Sequence, residues 1–248
     1  MKKRKALWII LIIIAAIIVF LFCQFTFLVK AKRVILNTYF IADNELIGAD
    51  LSKYQGNVDM NRLSEQGLSF VYVKATEGSE IVDTHFKENW SNAIESPLEV
   101  GAYHFFSFDS DGSTQAEHFI DTVGDMQGCL IPVVDVEFYA DKEANPPEKE
   151  DVVRELGEYL TILEDEYHVK PMIYAQKDIY RKYIKDDFSE YPRWVRSIYY
   201  PVFFEAGRDW VLWQYCDTMS LDGYDGDETN IDMNVLNKRT PLDSLIVK

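Results

Sequence analysis

Short apolar stretches rich in β-branched and aromatic residues alternate with amphipathic stretches along most of this chain, and that alternation leaves few folds open to it. Ile47–Leu51, 70–74, 100–106, 130–137, 171–175, 194–198 and 211–215 read as strands. Between them, helices are expected over 59–66, stopped by Gly67, over 84–94, capped by Asp83 or Thr84, and over 113–123, ended by Gly124. A fourth is expected over 147–167, where Val152, Val153, Leu156, Leu160 and Leu163 recur at helical spacing. Strands that are apolar throughout belong to a parallel sheet covered by helices. Seven or so of them in a body of about 215 residues favour one closed α/β barrel of the TIM type over an open sheet. In such barrels the chemistry sits at the C-terminal ends of the strands.

Ahead of that body, residues 6–29 carry no charge and follow Lys2, Lys3, Arg4 and Lys5. As a helix, 24 residues reach about 36 Å, enough to cross a hydrocarbon core of about 30 Å. The apolar stretch of a cleavable signal is usually only about 7–15 residues. The expected organisation is therefore a cytoplasmic basic segment (1–5), one transmembrane signal-anchor (6–29), a stem (30–46), a single barrel domain (47–237) and a C-terminal tail (238–248). Four basic residues and the amino terminus outweigh Lys30, Lys32 and Arg33 at the other end, which places the body outside the cell. Val29-Lys30-Ala31 keeps cleavage, and hence secretion of the body, as the alternative.

Charge divides along the same line. Residues 1–33 hold seven basic side chains and no acidic one, leaving 18 basic and 41 acidic residues, a net of −23, for the remainder. A body so acidic has no basic stripe with which to displace counterions from a polyphosphate, so nucleic-acid binding is excluded. Cys129 precedes a strand and Cys216 follows one. In a parallel barrel that sets them at opposite ends, about 17 Å apart, whereas a disulfide needs Cα atoms within about 7 Å. Free thiols are expected.

Four acids stand at strand ends or just beyond them: Asp50, Asp135, Glu137 and Asp232. Asp135 and Glu137 are two apart, so both point to one face of their strand. Like charge and desolvation raise the pKa of one member of such a pair and leave an acid that holds its proton near neutrality. A proton donor beside an ionised stabiliser is what cleavage of a glycosidic bond requires; acids satisfied at a strand end would look the same. His85, His104, His118 and His168 are scattered without metal-ligand spacing, and no phosphate or dinucleotide loop is present, so no metal or organic cofactor is expected. His104 fits a core position or a sugar contact equally well. Trp194, Trp213, Tyr174 and Tyr215 fit stacking surfaces for sugar rings or core packing. The acidic run 222–228 reads as a solvated loop, lacking the spacing of an EF-hand.

Seven motifs in order carry a resemblance: Asp50-Leu-Ser52-Lys-Tyr-Gln55-Gly56, Phe70-Val-Tyr-Val-Lys74-Ala-Thr76-Glu77-Gly78, Gly101-Ala-Tyr103-His104-Phe-Phe, Pro132-Val-Val-Asp135-Val-Glu137, Ile173-Tyr174, Trp213-Gln214-Tyr215 and Ile231-Asp232-Met-Asn234. Over about residues 47–237 the chain resembles glycoside hydrolase family 25, the muramidase-type lysozymes. The resemblance implies an irregular α/β barrel whose last strands lack intervening helices. It also implies cleavage of the β-1,4 bond between N-acetylmuramic acid and N-acetylglucosamine, with peptidoglycan glycan strands as the partner and a monomeric enzyme. Glu137 matches the proton donor, and Asp135 the acid that orients the substrate's acetamido group. Asp50 and Asp232 match the flanking acids, and Tyr103, Tyr174 and Gln214 the substrate-facing positions. Lys74, Glu77, His104, Trp194 and Trp213 complete the candidate substrate contacts. Segment 218–231 is longer than the family pattern, so Asp227 competes with Asp232; the local pattern Asp232-Met-Asn234 favours Asp232. Because both acids of the pair lie on one side of the scissile bond, retention assisted by the substrate's own acetamide is expected. The competing readings are an inactive wall-binding scaffold on the same fold and a chitinase-like glycosidase.

Overall fold

The computed structural model describes residues 2–31, 35–42 and 45–248. Its body is a closed eight-stranded barrel. The barrel strands are β1 (Ile47–Leu51), β2 (Phe70–Glu77), β4 (Glu99–Phe105), β5 (Val133–Val136), β6 (Met172–Ala175), β7 (Arg193–Arg196), β8 (Leu212–Met219) and β9 (Ile231–Leu236). A two-residue strand β3 (Ile81–Val82) hangs on the end of β2. Among the barrel strands the pairings from β1 to β8 are parallel, whereas β9 runs antiparallel to both β8 and β1 and closes the ring. The seven expected strands are present within a few residues; β9, expected only as a motif, is the eighth.

The interior is filled with aromatic side chains, and small residues make room for them. Tyr72 fills the middle of the barrel: its ring packs on Trp194 at 5.1 Å between centroids, and its hydroxyl donates to the Ile131 carbonyl at 3.3 Å. It lies directly over Gly101 of β4, where any Cβ would overlap the ring. Trp194 in turn meets Tyr174 edge-on at 5.3 Å. These rings form the floor on which the polar mouth of the barrel rests.

Helices α2 (Met60–Glu65), α3 (Phe86–Ile94), α4 (Gly112–Val123) and α5 (Lys149–Tyr167) follow β1, β2, β4 and β5, and a short α6 (Lys177–Ile179) running into a π-turn follows β6. Asp59 caps α2, accepting from Arg62 N at 3.0 Å. α5 buries Val152, Leu156, Tyr159, Leu160, Leu163 and Tyr167 and ends at His168 in the left-handed region. No α-helix follows β7 or β8. Their outer wall is covered instead by segment 197–211 and by the single helical turn Leu36–Phe40. Asn37 in that turn is fully buried and donates to the carbonyls of Ser197 (2.7 Å) and Tyr215 (2.9 Å).

The stem is docked on the barrel over residues 35–42, because the unhelical wall of β8 needs a cover. The C-terminal tail is likewise part of the body. Leu245 and Val247 are buried, and backbone bonds Ile131 N–Leu245 O and Val247 N–Cys129 O fasten it below β5. The acids of the run 222–228 are exposed, as expected of a solvated loop, and the loop is also fastened to the body: Asp225 accepts from Asn57 N at 2.8 Å, and Gly226 N donates to the Gln55 carbonyl. Cys129 and Cys216 are buried free thiols. Ahead of the body, α1 (Lys2–Lys30) contains a segment, Trp8–Lys30, long and apolar enough to cross a membrane. Lys32 and Arg33, used above to weigh orientation, lie outside the described residues.

The Tyr72–Gly101 packing makes a stability prediction. Gly101→Ala forces an overpacked interior, and a loss of about 1–3 kcal/mol is expected in urea unfolding with an unchanged denaturant slope. An unaltered midpoint would mean that Tyr72 is not held against β4.

Candidate active site

Strand direction assembles the site. In the parallel strands the mouth of the barrel is where they end, so Asp50 on β1, Asp135 on β5 and Glu137 just beyond β5 arrive there together. Because β9 is antiparallel, its beginning rather than its end is at the mouth, and this brings Asp232 opposite Asp50. The four acids line one cleft with two adjoining compartments of about 180 and 400 Å³.

Gln214 of β8 organises them. Its Nε2 donates to Asp50 Oδ2 (3.1 Å) and to Asp232 Oδ2 (3.1 Å), and its Oε1 accepts from the Tyr174 hydroxyl at 2.9 Å. Asn234 donates to Asp50 Oδ2 at 2.7 Å and accepts from Trp194 Nε1 at 2.9 Å, which ties the acids to the aromatic floor. Gln176, one residue beyond β6, donates to Glu137 Oε1 at 2.6 Å, and Tyr174 Oη lies 3.4 Å from that same oxygen. Asp135 Oδ1 is buried with no hydrogen-bond partner among the described residues.

So many acids in a poorly solvated mouth cannot all ionise at neutrality. Burial raises the pKa of Asp135 well above the usual carboxylate range, reinforced by Glu137. Burial, and then the Asp50 charge, push Asp232 up to about 8. For Asp50 burial again dominates, but the Asn234 and Gln214 hydrogen bonds pull it back, to about 6. In the adjacent pair the raised member is thus Asp135, whereas the resemblance gives the proton donor's part to Glu137.

Tyr103, Lys74, Tyr174, Trp194 and Gln214 line the cleft with the four acids. Lys74 is bound to Glu77 at 2.7 Å and lies over the Phe105 ring, so Glu77 acts on the cleft through that lysine rather than lining it. His104 and Trp213 are not brought to the cleft. Residues alternate across a strand, so the neighbours of inward-facing Tyr103 and Gln214 face outward. His104 is fully buried beneath the helices, bound to Thr76 Oγ1 (2.7 Å) and Gln115 Oε1 (3.1 Å) and stacked on Tyr159. Burial drops its pKa to about 3, so it is a neutral core histidine. Trp213 packs on the outer wall, its Nε1 donating to the Ser197 carbonyl. Asp232 lines the cleft; Asp227 does not.

Sequence reasoning passed over Tyr54, Gln176, Arg196, Asp217 and Glu228, all of which line the outer compartment. Arg196 ends β7 and pairs with Asp217 at 3.1 Å. Its place as the last residue of a barrel strand was the available signal. Tyr54 is set by a local device: Ser52 and Gln55 form a capping box around the turn Lys53–Gln55. Gly226 presses on that turn so closely that a Cβ would overlap the Tyr54 carbonyl.

Compared with known proteins, residues 49–224 match the model of glycosyl hydrolases family 25. The chain belongs to glycosyl hydrolase family 25. This family 25 glycoside hydrolase is similar to a solved family 25 glycosyl hydrolase from Bacillus anthracis, with 44% identity and a TM-score of 0.74 over 80% of this chain and 93% of that one. A bacterial lysozyme from Streptomyces coelicolor shares the fold at 24% identity, with a TM-score of 0.70 over 82% of this chain and 96% of the other. Among curated sequences, the uncharacterized protein YegX of Escherichia coli K12 is 33% identical over 77% of this chain and 69% of its own length. The autolytic lysozyme of Clostridium acetobutylicum is 27% identical over 72% of this chain and 53% of its length.

The raised carboxyls predict a pH signature in stability. Between about pH 4 and 8 the folded state of the family 25 hydrolase binds a proton at Asp232 that the unfolded chain has released, so this residue makes stability fall as pH rises. Asp232→Asn removes that dependence. Its thermal midpoint, relative to the parent chain, should be higher at pH 8 than at pH 5; a difference independent of pH would contradict the assignment.

Proposed function

We propose that this family 25 glycoside hydrolase is a peptidoglycan N-acetylmuramidase, cutting the β-1,4 bond between N-acetylmuramic acid and N-acetylglucosamine. In this reading residues 6–29 tether it to the cell membrane with the barrel on the wall side. The observation that carries the activity is the convergence of Asp50, Asp135, Glu137 and Asp232 in one aromatic-floored cleft. The similarity to an autolytic lysozyme and to a chain called Lysozyme M1 from Streptomyces globisporus supports the substrate class. The Trp8–Lys30 helix supports the tether.

An acetamido N–H donated to Asp135 favours its ionised form, so the proton Asp135 holds in the free cleft passes to Glu137, which protonates the glycosidic oxygen as the bond to C1 breaks. Both acids of the β5 pair approach from one side, so no enzyme carboxylate of that pair attacks C1 from the opposite face. The acetamido oxygen of the substrate forms that bond instead, giving a cyclic intermediate. Asp135 Oδ1, buried without a partner, is the atom placed to accept the acetamido N–H. Water then attacks C1, its proton returns to Glu137, and the product keeps its configuration. Gln176 and Tyr174 hold Glu137 in position, while Gln214 and Asn234 hold the flanking acids.

The test is digestion of purified peptidoglycan by the full chain in detergent, beside Glu137→Gln. Mass spectrometry of borohydride-reduced fragments should find reduced muramic acid at the new ends, and the variant should lose at least about 10²-fold in rate. Proton NMR of the first product should give the β anomer. Absence of new reducing ends from the parent chain would favour a wall-binding scaffold, and an α-anomeric first product would overturn substrate assistance.

A further inference from the structure

The side of the barrel that lacks helices carries five exposed aromatic side chains. Tyr39 and Phe40 on the docked stem and Tyr200, Phe203 and Phe204 on segment 197–211 are all at least half exposed, Phe204 to 71%. The three phenylalanines form one cluster, the Phe40 and Phe203 rings meeting at 6.0 Å and Phe203 and Phe204 at 4.2 Å, with Tyr39 and Tyr200 on the same two segments. A soluble surface seldom groups large aromatics this way without a partner. The groove between stem and wall is also lined by Arg208, Lys238 and Arg239, against Glu45 and neighbouring Asp209. On a body whose net charge is −23, a face with more cations than acids stands apart.

The chain's path places this face beside the apolar helix. Lys30 ends α1, and seven residues later Asn37 is locked to the Ser197 and Tyr215 carbonyls. Seven extended residues span at most about 25 Å, so this wall cannot move far from whatever surface the helix enters. Tyrosines with one polar edge and cations with apolar stems settle at the headgroup level of a bilayer, and phenylalanines beside them enter the boundary with the acyl chains.

We propose that the patch formed by Tyr39, Phe40, Tyr200, Phe203 and Phe204, rimmed by Arg208, Lys238 and Arg239, docks the barrel on the headgroup region of the membrane that α1 crosses. The inference rests on the tethered reading above. Its consequence is orientation. The barrel lies with its β8 wall on the lipid, and the cleft, at the ends of the strands, opens along the membrane surface rather than into it. The acidic remainder of the body is turned away from anionic lipid. A flexible tether would instead let the cleft face any direction.

The test uses the full chain in vesicles of phosphatidylethanolamine and phosphatidylglycerol, with Cys23→Ser to remove the exposed thiol while the buried Cys129 and Cys216 stay unlabelled. Nitroxide labels are placed singly through Phe204→Cys, Glu158→Cys on exposed α5 and Phe22→Cys within α1. All three positions are exposed in the body or on the helix, so folding is not at stake. Docking predicts an oxygen-to-nickel collision ratio at 204 several-fold above that at 158. A ratio at 204 equal to that at 158, with 22 deep in lipid, overturns the docking and leaves the tether standing. Aqueous labels at both 22 and 204 overturn the tether and the docking together. A label at 204 shielded from both reagents, and released on dilution in lipid, assigns the patch to a second copy and overturns the proposal.

Discussion

Two carboxylates facing each other on neighbouring strands repel unless one donor reaches both, and here the Gln214 amide does so. Asp50 and Asp232 are paired in register across β1 and β9, and Gln214 Nε2 bonds to each. Its carbonyl end is fixed by Tyr174, so the amide cannot turn over without losing two acceptors for one. Much of the mouth depends on this arrangement. Asn234 shares the load on Asp50 and hands it on to Trp194, whose ring rests on Tyr72 and, beneath it, on the bare backbone of Gly101. The floor, the acids and the closing antiparallel strand are one connected structure.

The barrel was legible in the sequence because its strands are apolar on both faces and end in polar residues. Ile47–Leu51 matches the observed strand end for end, and the two-residue spacing of Asp135 and Glu137 was enough to put them on one side. Other parts were not legible. Period two says that neighbours face opposite ways but not which way, so Tyr103 with His104 and Trp213 with Gln214 were each named together when only one of each pair can reach the cleft. Gln176 and Arg196 needed the strand ends to within one residue. The docking of Asn37 and of the C-terminal segment had no local signature, since each answers a gap in the helical shell that exists only once the barrel closes.

The irregular side of the barrel also links the cleft to the stem. Without helices after β7 and β8, β9 can turn back and present Asp232 at the mouth. The wall left uncovered is then shielded by the stem that leads out of α1. One topological choice thus supplies the fourth acid and fastens the body close to its apolar helix.

The central claim is that the cleft stores protons at neutral pH because its acids cannot all ionise. Isotope-edited infrared difference spectroscopy of the purified chain reads protonated carboxyls directly. At pH 7 a protonated-carboxyl band should be present, weakened in Asp135→Asn and again in Asp232→Asn, and the part lost in Asp232→Asn should fade as the pH rises through about 8. A spectrum with no protonated carboxyl at pH 7 would contradict the account.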